Sequence, residues 1–167
     1  MNAYRKFLAA LVAAVALAAP AHAQTPFWPS KTVRIVVPYP PGMGTDILAR
    51  LLAQRFSAQW GQSVVVDNRP GANTLLGAEA VARSAPDGHT LMITTDATFV
   101  INPHLYVKLP YDAIKSFAPI SLLATFTMVM VAQPSFAAND VAELVAIAKS
   151  RPGQITYGSF GPGSQHH

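Results

Sequence analysis

Within the first hundred residues, three short strand-like runs alternate with two apolar patterns at helical spacing, with turns between them. That alternation constrains the chain more than any other feature. Consecutive strand–helix–strand units close most readily as a parallel sheet with helices on its faces. VRIVV, Val33–Val37, reads as a buried strand. Ile47, Leu48, Leu51, Leu52 and Phe56 then recur at helical spacing, predicting a helix over about residues 46–59 that Gly61 is placed to end. SVVVD, residues 63–67, predicts a second strand, and the turn NRPGA leads into a second helix over residues 74–83. A further turn, APDG, precedes a third strand, TLMITT, over residues 90–95.

After Asn102-Pro103 the pattern loosens. Residues 120–131 form a long apolar stretch read as a strand. Asp140-x-x-Glu143 resembles a capping box opening a helix to about Lys149, which Pro152-Gly153 ends. ITY, residues 155–157, predicts a short strand, and GSFGPGS, residues 158–164, a Gly/Ser turn. Such a turn normally feeds a helix and none follows, so the expectation is a C-terminal truncation. His166-His167 fits a tag remnant as well as native sequence.

The front end reads as a secretory leader. Arg5 and Lys6 precede an uncharged apolar run from Phe7 to Ala19, and Ala21-His22-Ala23 fits a small-x-small cleavage site before Gln24. The run is short for a membrane span, which needs about 20 residues; a retained anchor is the alternative. The whole chain carries a net charge of +4, and losing Arg5 and Lys6 with the leader leaves +2. The cations are scattered, which argues against a nucleic-acid partner. There is no cysteine, so disulfides and thiolate metal sites are excluded.

The corner VVPYPPGMGTDILAR, residues 36–50, carries the main chemical signal. In open α/β sheets, ligands bind beyond the carboxyl ends of the strands. Helix N-termini there offer free N–H groups and partial positive charge. Gly42 and Gly44 let a ligand approach the backbone, Pro38, Pro40 and Pro41 stiffen the loop, and Thr45 or Asp46 is suited to cap the helix. The corner therefore fits an anion, most simply a carboxylate. The plain alternative is a capped turn without a ligand. The spacing is neither a dinucleotide fingerprint nor a P-loop.

The third strand leads into TTDAT, residues 94–98, whose hydroxyls would share the same sheet edge. The Gly/Ser turn offers N–H groups that could cradle an anion. Catalysis finds little support. Ser159 and Ser164 lie in no G-x-S-x-G elbow, and no metal-spaced cluster is visible. His89 and His104 read as exposed polar residues.

Four segments then carry a family resemblance: WPSKTVRIVVPYPPGMGTDILARLLA, VVVDNRPGANTLLGAEAVARSAPDGHTL, INPHLYVKLPYDAIKSFAPISLLA and ITYGSFGPGSQHH. In this order they resemble the periplasmic solute-binding proteins of tripartite tricarboxylate transporters, the Bug family. The resemblance implies a periplasmic-binding-protein-like (type II) α/β fold. Two lobes would close like a flytrap on a small carboxylate, which the protein would deliver to the transporter's membrane subunits. It implies a monomeric, non-catalytic protein without a cofactor, in the periplasm after cleavage behind Ala23. The leader would span residues 1–23, an incomplete first lobe residues 24–118, and the truncated start of a second lobe residues 119–167. Carried over, the ligand-binding positions are Pro41, Gly42, Met43, Gly44, Thr45 and Asp46, then Thr95, Ala97 and Thr98, and from the second lobe Ser159, Gly161, Gly163 and Ser164.

Three departures stand out. Met43 occupies a usual glycine position, which would narrow the pocket or favour a more apolar ligand. Asp96 and Ala97 stand where Ser or Gly is frequent, and the Asp96 acid would oppose a carboxylate unless it points away. Family members are roughly twice as long, as two-domain chains are. A chain this short would have only part of the cleft, so the fragment is expected to bind nothing tightly. The alternatives are a sensor presenting its closed form to a receptor kinase and, from another class, a small exported hydrolase.

Overall fold

The computed structural model of the protein describes residues 27–167. The expected leader and its cleavage site lie outside the described residues. The elements run β1 (Val33–Val37), α1 (Gly44–Trp60), β2 (Val64–Asn68), α2 (Leu75–Ala82), β3 (Thr90–Met92), a π-helical turn (Ala97–Ile101), α3 (Asn102–Leu105) and α4 (Val141–Ser150).

The sheet is parallel, in the order β2-β1-β3, with Ile35 opposite both Val66 and Leu91. From β1 the chain crosses to one side, then returns past β1 to the other. Right-handed crossovers in opposite directions place α1 and α2 on opposite faces. Strand pleating gives β1 something to bury on each face. Val33, Ile35 and Val37 pack with Ala49 and Ala53 of α1, while Val36 and Ala78 of α2 are also fully buried. Each fully buried Val or Ile stabilises the fold by roughly 1.5–3 kcal/mol. Gly77 lies so close to the β1 exit that a Cβ there would sit 2.7 Å from Pro38 Cβ.

Gly61 ends α1 in the left-handed region, at φ 66°, with its N–H donating to the Ser57 carbonyl. The end of the sheet away from the β1 corner is closed by aromatic packing. Trp60 stacks on Phe56 and meets Trp28 edge-on, with centroids 4.4 and 5.0 Å apart. His89 belongs to this end and is buried, contrary to its reading as an exposed residue. Its Nε2 accepts from Ser30 N–H at 3.2 Å.

Three expected strands change. The third is shorter than residues 90–95: Ile93 N–H makes the last bond to β1, at Val36 O, and the threonines beyond turn into the π-helical segment. Residues 120–131 and 155–157 form no strand. A strand needs a hydrogen-bonded neighbour, and apolar composition does not supply one. The box at α4 forms: Asp140 Oδ1 accepts from Glu143 N–H at 2.8 Å. Glu143 Oε2 reaches back one residue further than in the usual box, to Asn139 N–H. No residue after Tyr111 is buried. Among the described residues, no helix is long and apolar enough to cross a membrane.

Candidate functional site

β1 is the strand at which the sheet's winding reverses. The chain leaves β1 toward one side and β3 lies on the other, and in open α/β sheets the crevice that takes a ligand is the one outside the carboxyl ends at such a reversal. The β1–α1 loop and the β3 exit meet there, joined by the Tyr39 and Thr95 hydroxyls at 2.7 Å.

The loop is fixed by Asp46. This side chain does not cap α1. The N-cap is Met43, in extended backbone, and no side chain caps the terminus. Asp46 instead accepts from Gly42 N–H at 2.9 Å and Arg50 Nε at 3.0 Å through Oδ2. Through Oδ1 it accepts from Asn68 Nδ2 at 2.9 Å. Arg50 Nη2 also donates to Asn68 Oδ1, and Asn68 Nδ2 to the Tyr39 carbonyl. The carboxyl is held down at about 2, first by the Arg50 hydrogen bond, then by the Gly42 amide and the Asn68 side chain, against an opposing desolvation cost. It stays ionised with its oxygens occupied, so it shapes the loop. Gly42 sits at φ 88° with open space around it, a conformation that favours glycine.

What the corner leaves unsatisfied is specific. The Asp46 and Ile47 N–H groups both return to Met43 O. Among the described residues, no acceptor takes the N–H of Met43, Gly44 or Thr45. Thr45 Oγ1 is buried and also lacks a partner. A helix start normally leaves such groups to a cap, water or a ligand. Pro41 and Gly42 are exposed on the approach.

The β3 exit divides. Thr95 is half-buried at the crevice, its hydroxyl shared between Tyr39 and the Ala97 amide. Ala97 is buried. Thr98 is fully buried and its hydroxyl is used: it lies 2.5 Å from Thr94 Oγ1 and donates to Thr74 Oγ1 at 2.8 Å. Asn102, also fully buried, donates to the Asn73 carbonyl and to Thr74 Oγ1. It accepts from Asn73 Nδ2 at 2.6 Å. Tyr111 OH donates to the Thr98 carbonyl at 2.7 Å. This network holds Ala72, Asn73 and Thr74, all non-glycine residues at positive φ (46°, 47° and 75°). Such a run persists only where the surroundings over-determine it.

The Gly/Ser turn folds on itself. Ser159 Oγ bonds the Gly161 amide and His167 Nδ1, and Ser164 Oγ donates to Gly161 O. It reaches the first region at two points. Gly163 abuts Asn73 and Leu105, and Gln165 Nε2 donates to Asp96 Oδ2 at 2.5 Å. That bond turns the Asp96 carboxylate toward Gln165. The structure thus joins the β1 corner and Thr95, places Ala97 and Thr98 behind them, and brings Gly163 near the turn after β2. Ser159 is exposed and occupied locally.

Sequence reasoning missed Tyr39, Arg50, Asn68 and Asn102. Only Arg50 carried a local signal, one helical turn after Asp46. Shallow hollows lie on the α1–β2 flank, lined by Arg50, Ala53, Gln54, Ser57 and Val64 among others, away from the crevice. Among the described residues, no group of three or more His, Asp or Glu is arranged to hold a metal.

A profile described as the tripartite tricarboxylate transporter family receptor, TctC, matches residues 48–167. A UPF0065 protein of Bordetella pertussis is 38% identical over 160 residues, covering 95% of this chain and 48% of that protein. R. palustris Rpa4515, solved with adipate, superposes with a TM-score of 0.77 at 36% identity, over 82% of this chain and 46% of the other. MatC (Rpa3494) of Rhodopseudomonas palustris, solved with bound malate, gives 0.68 at 35% identity, over 74% and 42%. The chain spans about half the length of the curated relatives it matches. These family and structural neighbours are solute-binding proteins. With an α/β fold of the periplasmic-binding-protein kind and matches of this extent, the chain belongs to the TctC receptor family.

Proposed function

We propose that the protein is the exported receptor of a tripartite transporter and captures a small carboxylate at the first turn of α1. One observation carries the reading: at the start of α1 the Met43, Gly44 and Thr45 amides and the buried Thr45 hydroxyl have no acceptor among the described residues. A carboxylate supplies acceptor oxygens and the negative charge that a helix N-terminus favours. Asp46 does not compete for these donors, because its oxygens are already occupied. Gly42 and Thr95 flank the ligand, and Asp46 and Thr98 hold the walls. The Gly/Ser turn, with Gly161, Gly163 and Ser164, belongs to a second lobe that closes over the crevice. The ligands of the two R. palustris relatives, adipate and malate, are both small carboxylates and support this reading.

Thr45→Val tests it, because the two expected effects have opposite sign. Removing a buried hydroxyl without a partner leaves the ligand-free protein as stable or slightly more stable. Losing a hydrogen bond to a charged ligand weakens carboxylate binding by about tenfold or more. Calorimetric titration with adipate and malate, beside thermal melts of the free protein, reads both. Unchanged affinity in the variant contradicts the proposal.

A further inference from the structure

Phe126 lies in the unpaired apolar stretch, far from the corner in sequence, yet its ring rests on the first turn of α1. A Cβ on Gly44 would sit 3.1 Å from Phe126 Cε1, 3.4 Å from Cζ and 4.0 Å from Cδ1. Gly44 has ordinary helical backbone, so what its missing side chain provides is room for this ring edge. Phe126 is nevertheless 61% exposed, so most of the residue is not covered by protein. It sits beside the backbone that carries the unpartnered Gly44 N–H. Met43, the N-cap, adds a second apolar side chain that makes no capping bond.

We infer that Phe126 is a specificity-determining wall of the site, selecting a carboxylate on an unbranched aliphatic chain over one whose chain carries hydroxyls. The inference rests on the carboxylate reading above. A carboxylate on the Met43–Thr45 amides brings the adjoining carbons of its chain against the ring. An aliphatic chain there buries apolar surface on both partners. A hydroxylated chain loses water at the ring, and the ring has no hydrogen bond to return. The positive edge of an aromatic ring is also compatible with a neighbouring carboxylate.

Adipate and galactarate form a matched pair, both six-carbon dicarboxylates, differing in the four hydroxyls of galactarate. Calorimetry on the full chain should show adipate binding at least about tenfold more tightly. Phe126→Ala should cut that preference to about threefold or less, and Phe126→Leu, which keeps an apolar wall, should retain most of it. Phe126 is largely exposed, so these variants are expected to fold. Equal wild-type affinities, or a preference unchanged by Phe126→Ala, overturn the inference while leaving a carboxylate site standing. If no carboxylate binds the wild type, the functional reading fails and this inference falls with it.

Discussion

VRIVV at residues 33–37 and ISLLATFTMVMV at residues 120–131 are both apolar enough to be core strands, and their fates are opposite. Val33, Ile35, Val36 and Val37 are at most 1% exposed. Ile120, Leu122, Val129 and Val131 are 78–85% exposed. β1 has a parallel neighbour on each side and packs with both α1 and α2. The second run has no strand beside it. The difference teaches that apolar pattern states a capacity to be buried, while partners decide whether it is used. It also divides the chain into a packed region ending near Tyr111 and a region with no core of its own.

The largest expected effect falls within the packed region. Asp46→Ala removes the acceptor that ties the corner loop, α1 and β2 together, and should lower Tm by an amount on the order of 10 °C. The same residue predicts an acid limb. Its carboxyl sits at about 2 in the fold, against about 3.9 in an unfolded chain. A depressed carboxyl stabilises the fold above its unfolded value and loses that contribution as pH falls toward its folded one. Wild-type stability should therefore fall between pH about 4 and about 2; Asp87, held at about 2 first by its hydrogen bond from Lys31, contributes to the same fall, so in denaturant melts of Asp46→Ala the step should be smaller rather than absent.

Asn102→Ala comes next. It strips partners from the Asn73 carbonyl and Thr74 Oγ1 in a fully buried network, and should cost about 1.5 kcal/mol in urea melts. A loss below about 0.5 kcal/mol, the range of ordinary surface substitutions, would show that the positive-φ run is held by something else.

The smallest effect makes the sharpest comparison. Gly61 and Gly153 both follow helices, both have positive φ (66° and 74°), and neither would bring a Cβ within 4 Å of another group. Alanine imposes the same backbone penalty at each, about 1 kcal/mol. Gly61→Ala should reduce global stability by that amount, because α1 unfolds with the core. Gly153→Ala should leave the global transition of the 167-residue chain unchanged. Equal losses would break the division between the regions.

What the sequence made legible was local. The β1 run, the Gly61 stop, α2 and the Asp140 cap all follow from neighbours within a few residues. The corner's loop and helix start were legible, because glycine, proline and a helix start are read in sequence, and that pattern is what suggested an anion site. Its chemistry was not. Asp46 looked like a cap, and one of its three partners, Asn68, lies 22 positions away. The Thr98 hydroxyl looked available to a ligand until Thr74 and Thr94 were brought beside it. His89 looked exposed because nothing nearby announces that Ser30 and Trp28 return to it. Phe126 was one apolar residue among many, and its contact with Gly44 arises only in three dimensions.

The most direct test of the account is the amide chemical shift of each corner residue during titration with adipate. The account predicts saturable movement of the Met43, Gly44 and Thr45 N–H resonances, larger than that of any amide on the α1–β2 flank. Shifts confined to surface lysines and arginines, with those three amides unmoved while adipate binds, would contradict it.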